Sequence, residues 1–190
     1  VEAQGPESPE ALSQRCVCFT ETPLEHLHLL VQDIELRQFK FAPYGVATTK
    51  KVARRRGVNP VWYIDQTIGH DWLAKPLNAL IDAAFASPPG FTQSSISEIT
   101  PFVESMGTGD TSKKEFWWER EWRHVGHFGL TALPFAPFIG LCPEEEMGEF
   151  TDLANGWPEG LRPRWLDPRW GLEQIIARLA GFKSNEIEVF

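Results

Sequence analysis

Cysteine is scarce in this sequence of 190 residues, and its scarcity limits where the protein can work. Cys16, Cys18 and Cys142 are an odd and small set, whereas a secreted domain held by disulfides carries more cysteines in even number. The opening residues, VEAQGPESPE, contain neither a basic segment nor an apolar run, so no secretory signal is visible in them. We therefore expect a cytoplasmic protein.

Long apolar runs are also missing. The uncharged stretch GLTALPFAPFIGLCP, residues 129–143, is shorter than the ~20 residues that a membrane-spanning helix needs. Three prolines interrupt it, and proline disrupts the interior of a helix. The sequence therefore predicts no association with a membrane.

Positive charge is in deficit, since the formal net charge is −8. This balance argues against a protein that coats nucleic acid through its overall charge, although it allows a local basic patch.

A hydrophobic fraction of 42% argues against a disordered chain. Residues 1–15 are polar and are predicted to be a flexible arm. No long linker follows, so residues 16–190 are predicted to form one domain.

The spacing of apolar residues predicts an α+β fold. Leu24, Leu27, Val31 and Ile34 recur at helical intervals, while the segment PVWYID is typical of a strand. We expect a single domain in which helices flank a mixed, mostly antiparallel sheet. The predicted strands lie near residues 16–20, 60–65, 115–124, 131–140 and 184–190, and the predicted helices near residues 23–36, 70–86 and 168–180. Gly181 is predicted to end the last of these helices.

The segment EFWWEREWRHVGHF combines aromatic and charged residues in strand-like alternation. On a strand, Glu119, Glu121 and Arg123 project from one face, and Trp118 and Trp122 from the other. Neighbouring carboxylates raise one another's pKa, and such a set can bind a ribose or act as acid and base. The same residues can equally form a charge ladder across a sheet, with the Trp rings covering the core.

A short basic helix is the second candidate site. Five cations fall within seven residues of an acidic chain, and Gly57 follows them as a predicted helix end. This helix can face phosphate groups of RNA, DNA or a nucleotide, or dock an acidic partner. It can also be a solvated helix balanced by acidic residues elsewhere. The five cations are Lys50, Lys51, Arg54, Arg55 and Arg56.

Signatures of metal and phosphate binding are missing. Cys16-x-Cys18 and His26-x-His28 do not have the spacing of common zinc sites, so no metal site is predicted. A phosphate-binding loop, a dinucleotide-binding fingerprint and a nucleophile elbow are likewise not found in the sequence.

Three stretches in this order resemble the AbiGi family of abortive phage-resistance proteins. They are CFTETPL at residues 18–24, the span from Tyr44-Gly45 to GVNPVWY at residues 57–63, and EREWR at residues 119–123. The resemblance covers roughly residues 16–125. It implies a role in phage defence, in a two-gene arrangement whose AbiGi component is the antitoxin. The leading hypothesis is binding of a cognate toxin, another protein or nucleic acid through the basic helix and the Trp-rich strand.

The competing hypothesis is enzymatic. Glu119 and Glu121 also resemble the Glu-x-Glu motif of ADP-ribosyltransferases. That resemblance implies NAD as the cosubstrate, Glu121 as the catalytic carboxylate and Glu119 as the residue that positions the acceptor. Tyr44 would stack on the nicotinamide ring. The His-Thr pair that one class of these enzymes carries on its first strand is not found before Cys16. Outside this hypothesis, no cofactor is indicated.

Overall fold

The computed structural model describes residues 14–33, 40–108, 113–115, 119–129 and 138–182. The strands are β1 (Cys16–Thr20), β2 (Gly45–Ala47), β3 (Asn59–Pro60), β4 (Trp62–Asp65), β5 (Val103–Thr108), β6 (Lys113–Lys114), β7 (Glu121–Val125), β8 (Ile139–Leu141) and β9 (Arg164–Leu166). The helices are α1 (Leu27–Val31), α2 (Lys50–Arg55), α3 (Ala74–Ala86), α4 (Ser95–Ile99), α5 (Met147–Ala154) and α6 (Leu172–Ala180).

These elements belong to two compact units. The first comprises Val1–Glu21 and Arg54–Phe128, and the second comprises Thr22–Ala53 and Gly129–Phe190. The α+β class is confirmed, and the described strands form mixed, mostly antiparallel ladders. They do so in three small sheets, whereas the sequence predicted one. That residues 16–190 form a single domain stays a prediction.

The first unit contains two of the sheets. In one, β7 pairs antiparallel with both β1 and β3, which places Cys18 opposite Arg123 and Thr20 opposite Glu121. In the other, β4 and β5 run parallel and β6 pairs antiparallel with β5. Parallel neighbours require a crossover connection, and α3 lies in the segment that connects β4 to β5.

Helix α3 forms where the sequence predicts a helix at residues 70–86, but it begins at Ala74. Pro76 lies in its first turn, where the missing N–H of proline would have no partner within the helix. Ala74 and Ile81 are the buried residues of this helix. Proline therefore starts the helix rather than kinking it.

The second unit contains the sheet β2–β8–β9, in which β8 pairs antiparallel with β2 and parallel with β9. Gly140 on β8 is required by packing, since a Cβ atom there would lie 2.2 Å from the ring of Trp165 on β9. Helix α6 ends at Gly181, whose φ of 87° is the left-handed conformation predicted for its cap. The buried core of this unit consists of Cys142, Met147, Leu166, Trp170 and Ile175.

Several predicted bounds are wrong. The strand predicted at 115–124 begins only at Glu121, because Arg120 adopts a φ of 48° that interrupts extended structure. Strand β5 was not predicted at all. The helix predicted at 168–180 starts four residues late, at Leu172, after a turn.

Other predictions are confirmed in part or lie outside the described residues. The helix predicted at 23–36 is a 3-10 turn, Leu24–His26, that continues into α1. The strand predicted at 131–140 coincides with the described residues only at the start of β8. The strand predicted at 184–190, and the arm before Gln14, lie outside the described residues. Within the described residues, no helix is both long and apolar enough to cross a membrane.

Candidate functional site

Arg123 is the centre of a half-buried polar network in the first unit. Its side chain is only 13% exposed, and it donates hydrogen bonds from every nitrogen. Nε and Nη2 donate to the Glu121 carboxylate at 2.8 and 3.1 Å, and Nη2 also donates to Glu104. Nη1 donates to the carbonyls of Pro101 and Val103 at 3.0 and 3.3 Å. These bonds occupy all five N–H groups of the guanidinium.

The pKa of Arg123 is raised above its ordinary value. Burial acts to lower it, but the hydrogen bonds and the negative charges of Glu121 and Glu104 outweigh burial. The guanidinium therefore stays charged, and it joins β7 to β5 through two carboxylates.

Glu121 accepts hydrogen bonds from further groups besides Arg123. The Tyr63 hydroxyl donates to Oε2 at 3.5 Å, and the Cys18 thiol donates to the same carboxylate. Burial, with the charges of Glu121 and Glu119, raises the pKa of Tyr63 to about 12. Burial and the hydrogen bond to Glu121 raise the pKa of Cys18 to about 12. Both groups are thus protonated donors at neutral pH, and Glu121 is 13% exposed among them.

Glu119 does not belong to β7. It lies in a 3-10 turn before the strand, and its carbonyl accepts a hydrogen bond of 2.7 Å from the Thr20 hydroxyl. The positive φ of Arg120 separates it from Glu121. The spacing of the two carboxylates predicted that they lie side by side on one strand face. In the structure they do not, because only Glu121 belongs to β7.

The two Trp candidates have different outcomes. The indole N–H of Trp122 donates to Glu21 at 2.8 Å, and Arg120 donates to the other oxygen of that carboxylate at 3.1 Å. Trp122 is half-buried, so its polar atom is engaged inside the first unit. Trp118 lies outside the described residues.

Tyr44 belongs to the second unit. Its hydroxyl donates to the Glu146 carboxylate, at 2.9 Å from one oxygen and 3.0 Å from the other. That hydrogen bond is the main cause of a raised Tyr44 pKa. The ring lies 5.9 Å from the Phe150 ring, centroid to centroid. These contacts attach β2 to the start of α5.

The predicted basic helix is α2. Thr49 precedes it, and the Thr49 hydroxyl accepts the N–H of Val52 at 3.3 Å, which satisfies one free donor of the first turn. Gly57, with a φ of 84°, follows the helix end. Arg56 is half-buried and lies over the Phe128 ring at 5.2 Å. Lys51, Arg54 and Arg55 are exposed, and no described residue forms an ion pair with them.

A cavity of about 290 Å³ lies beside Arg123 in the first unit. Strands β4 and β5 contribute Ile64 and Val103 to its lining, and α3 contributes Leu77, Asn78 and Ile81. Other polar groups in the lining include Gln66, Ser105 and Glu104. This cavity could not be predicted from the sequence, because its walls come from segments far apart in the chain.

Glu104, Tyr63 and Cys18 were not selected from the sequence. Glu104 lies in ISEITPFVES, a segment with no clear period, so its strand could not be assigned. Tyr63 and Cys18 could have been selected as site candidates, since each is a polar side chain in a predicted strand. Cys18 lies on β1, which pairs with β7, and the Tyr63 hydroxyl donates to Glu121 on β7. Among the described residues, no three His, Cys, Asp or Glu side chains are grouped as a metal site requires.

Comparison with protein families assigns the chain to one of them. A family model described as "Putative abortive phage resistance protein AbiGi, antitoxin" matches residues 11–133, more than half of the 190 residues. Comparison with curated proteins gives no match, and comparison with solved structures gives none either. The matched region includes the Arg123 network, helix α2 and the cavity.

Proposed function

Because the chain belongs to the AbiGi family of abortive phage-resistance antitoxins, we propose that it serves phage defence by binding a toxin protein through helix α2. The observation that carries this proposal is the group of exposed cations Lys51, Arg54 and Arg55. Exposed cations that form no ion pair with a described residue are available to an acidic surface and accelerate its association. Since phage multiply inside the cell, the cytoplasm is the expected site of action.

A protein partner suits α2 better than nucleic acid does. Nucleic-acid affinity rises with the number of phosphates neutralised, and the four cations of this six-residue helix neutralise few phosphates. The net charge of −8 also repels a polyanion at long range. A toxin with a small acidic patch needs complementary charge only where it contacts α2. The net negative charge of the chain therefore opposes toxin binding less than it opposes nucleic-acid binding.

The test is protection of growing cells against the cognate toxin. Reversing the three charges, as Lys51→Glu, Arg54→Glu and Arg55→Glu together, is expected to abolish protection that the wild-type chain gives. Arg178→Glu is the matched control, since Arg178 is likewise exposed in the last turn of a helix. It should protect fully, at an equal protein level. Protection by the triple variant would contradict the proposal, and a gel shift with labelled RNA and DNA would reveal a nucleic-acid partner instead.

The transferase hypothesis finds less support in the geometry. An ADP-ribosyltransferase needs its Glu free to contact the nicotinamide ribose of NAD, whereas both oxygens of Glu121 accept hydrogen bonds from Arg123. Tyr44 is engaged by Glu146. This engagement favours a structural role for both residues.

Nicotinamide release from NAD distinguishes the two hypotheses. We expect no release by the purified chain, with cell lysate and nucleic acid offered as acceptors. A Glu121→Gln variant should behave in the same way, although less stably folded. Release by the wild type that disappears in the variant would establish catalysis and replace the binding proposal.

A further inference from the structure

Helix α3 of the first unit carries apolar side chains on two opposite sides. Ala74 and Ile81 are buried on its inner side. On the other side Trp72 is 76% exposed and Leu80 is 60% exposed, and the apolar residues between and beside them are exposed as well. At a rotation of about 100° per residue these exposed side chains share an arc of about 100° that lies opposite the buried pair. We call this set the outer face, and it consists of Trp72, Pro76, Ala79, Leu80 and Ala83.

Trp72 precedes the first residue of α3 but belongs to the same helical turn. The backbone N–H of Lys75 donates to the carbonyl of Asp71 at 3.1 Å, which is the i to i−4 hydrogen bond of an α-helix. The outer face therefore extends over about three helical turns. An exposed apolar patch with polar residues at its border is typical of an interaction surface rather than of a face that works in contact with water.

Two opposite charges border one edge of the outer face. Lys75 and Asp82 are separated by about two helical turns, so they lie on the same edge. The Lys75 side chain is 73% exposed, and its ammonium group lies 3.0 Å from the carboxylate of Asp71 on the same helix. Asp82 is exposed and forms no ion pair with a described residue. The opposite edge of the face, at Leu73 and Ala84, carries no charge.

This pattern of charge is complementary to itself when two copies of α3 lie antiparallel. A twofold axis that passes between positions 78 and 79 places the charged edge of each helix beside the charged edge of the other. Lys75 of each copy then faces Asp82 of the second copy, which gives two identical ion pairs. In a parallel pair the charged edge would lie beside the uncharged edge, and the opposite charges would not meet. The charges therefore favour the antiparallel arrangement.

The same twofold axis also brings large side chains beside small ones. Trp72 comes level with the segment between Ala83 and Ala86 of the second copy, where the exposed side chains are methyl groups. Leu80 comes close in level to Pro76 of the second copy. Small residues at the contact allow two helix axes to approach closely, so that the large side chains can pack between them.

We propose that the outer face of α3 binds the outer face of a second copy of this chain, in an antiparallel homodimer with its twofold axis between positions 78 and 79. The occupant is a second copy because the charges along this face complement one another only across such an axis. One helix from each copy forms a small interface, so the dimer is reversible and depends on protein concentration. This inference does not depend on toxin binding through α2, because the outer face shares no residue with that helix.

Sedimentation equilibrium of the full chain over a range of concentrations tests the proposal, under reducing conditions. The average mass is expected to rise from monomer towards dimer as the concentration increases. Lys75→Glu alone, or Asp82→Lys alone, should weaken dimerisation at least ~10-fold, because each variant creates two like-charged contacts across the twofold axis. The two substitutions together exchange the charges and should restore dimerisation. Loss of folding cannot produce that restoration.

Leu80→Glu should abolish dimerisation, whereas Leu153→Glu is the matched control and should leave it unchanged. Leu153 is likewise an exposed leucine on a helix, at 68%, but it lies on α5. Circular dichroism should show both variants folded. A chain that stays monomeric at every concentration would overturn the proposal, and so would a double charge exchange that dimerises no better than the single variants.

Cysteine cross-linking tests the position of the twofold axis. Two copies of Ala79 would lie about 1.5 Å apart along the helix axis, and two copies of the equally exposed Ala86 about 22 Å apart. Under mild oxidation Ala79→Cys should therefore form a disulfide-linked dimer, while Ala86→Cys should form no more than the wild-type chain with its native cysteines. Equal cross-linking of the two variants would overturn the antiparallel arrangement.

Discussion

Replacing Arg123 by leucine is expected to destabilise the first unit by about 3–5 kcal/mol, the usual cost of removing one partner from a buried ion pair. Arg123 is 13% exposed, and its loss leaves the carboxylates of Glu121 and Glu104 without their cation. It also leaves the carbonyls of Pro101 and Val103 without a donor. Urea denaturation of the wild type and the variant measures this difference in the free energy of unfolding.

Two further variants make the result specific. Arg178→Leu removes an exposed arginine and should change the free energy of unfolding by no more than ~0.5 kcal/mol. Arg123→Lys keeps the charge but loses the planar set of donors, so its stability should fall between wild type and Arg123→Leu. If Arg123→Leu unfolds at the same urea concentration as the wild type, the network does not hold the first unit together.

The second large effect is expected at Asp167 in the second unit. Asp167 is 2% exposed, and it accepts the backbone N–H groups of Glu144 and Arg169, both at 2.8 Å. The Arg169 guanidinium donates to the same carboxylate. Asp167→Asn removes the charge from these hydrogen bonds and is expected to cost about 1.5–3 kcal/mol at pH 7, the range for a bond to a charged group.

The Asp167 effect should depend on pH in a definite direction. Burial acts to raise the Asp167 pKa, but hydrogen bonds from the Arg169 side chain and from two backbone N–H groups lower it below 3.8. A carboxyl whose pKa is lowered on folding stabilises the folded state above its unfolded pKa. That contribution disappears as the pH falls through the folded pKa. Denaturation of wild type and Asp167→Asn should therefore differ at pH 7, and the difference should shrink as the pH falls below the ordinary aspartate pKa. A difference that widens on acidification would contradict the stabilising role of the Asp167 carboxylate.

Sequence periodicity predicted the elements whose signals are local. Helix α3 and the Gly181 end of α6 follow from apolar spacing and from glycine, and β1 and β4 follow from short apolar runs. Strand β7 was predicted too long, because no composition rule indicates that Arg120 adopts a positive φ. Such a conformation depends on the surrounding structure rather than on the residue itself.

The candidate site was less predictable than the elements. The i, i+2 spacing of Glu121 and Arg123 did suggest that they interact, and the structure pairs them. The second carboxylate of the network, Glu104, lies on a strand that pairs parallel with β4, so its position depends on the register of a distant ladder. Tyr44 and Glu146 are separated by 102 residues. Residue patterns describe local geometry, and they do not specify which distant segments meet.

Binding of the purified toxin by the purified chain, measured at increasing salt concentration, tests whether helix α2 is the toxin-binding surface. We expect binding that weakens as salt rises, because exposed cations are screened over about 10 Å at 0.1 M ionic strength. Reversal of Lys51, Arg54 and Arg55 should weaken it at least ~10-fold, equal to about 1.4 kcal/mol, whereas Arg178→Glu should not. Toxin binding that is absent, or that is unaffected by salt and by reversal of these three charges, would show that α2 is not the toxin-binding surface.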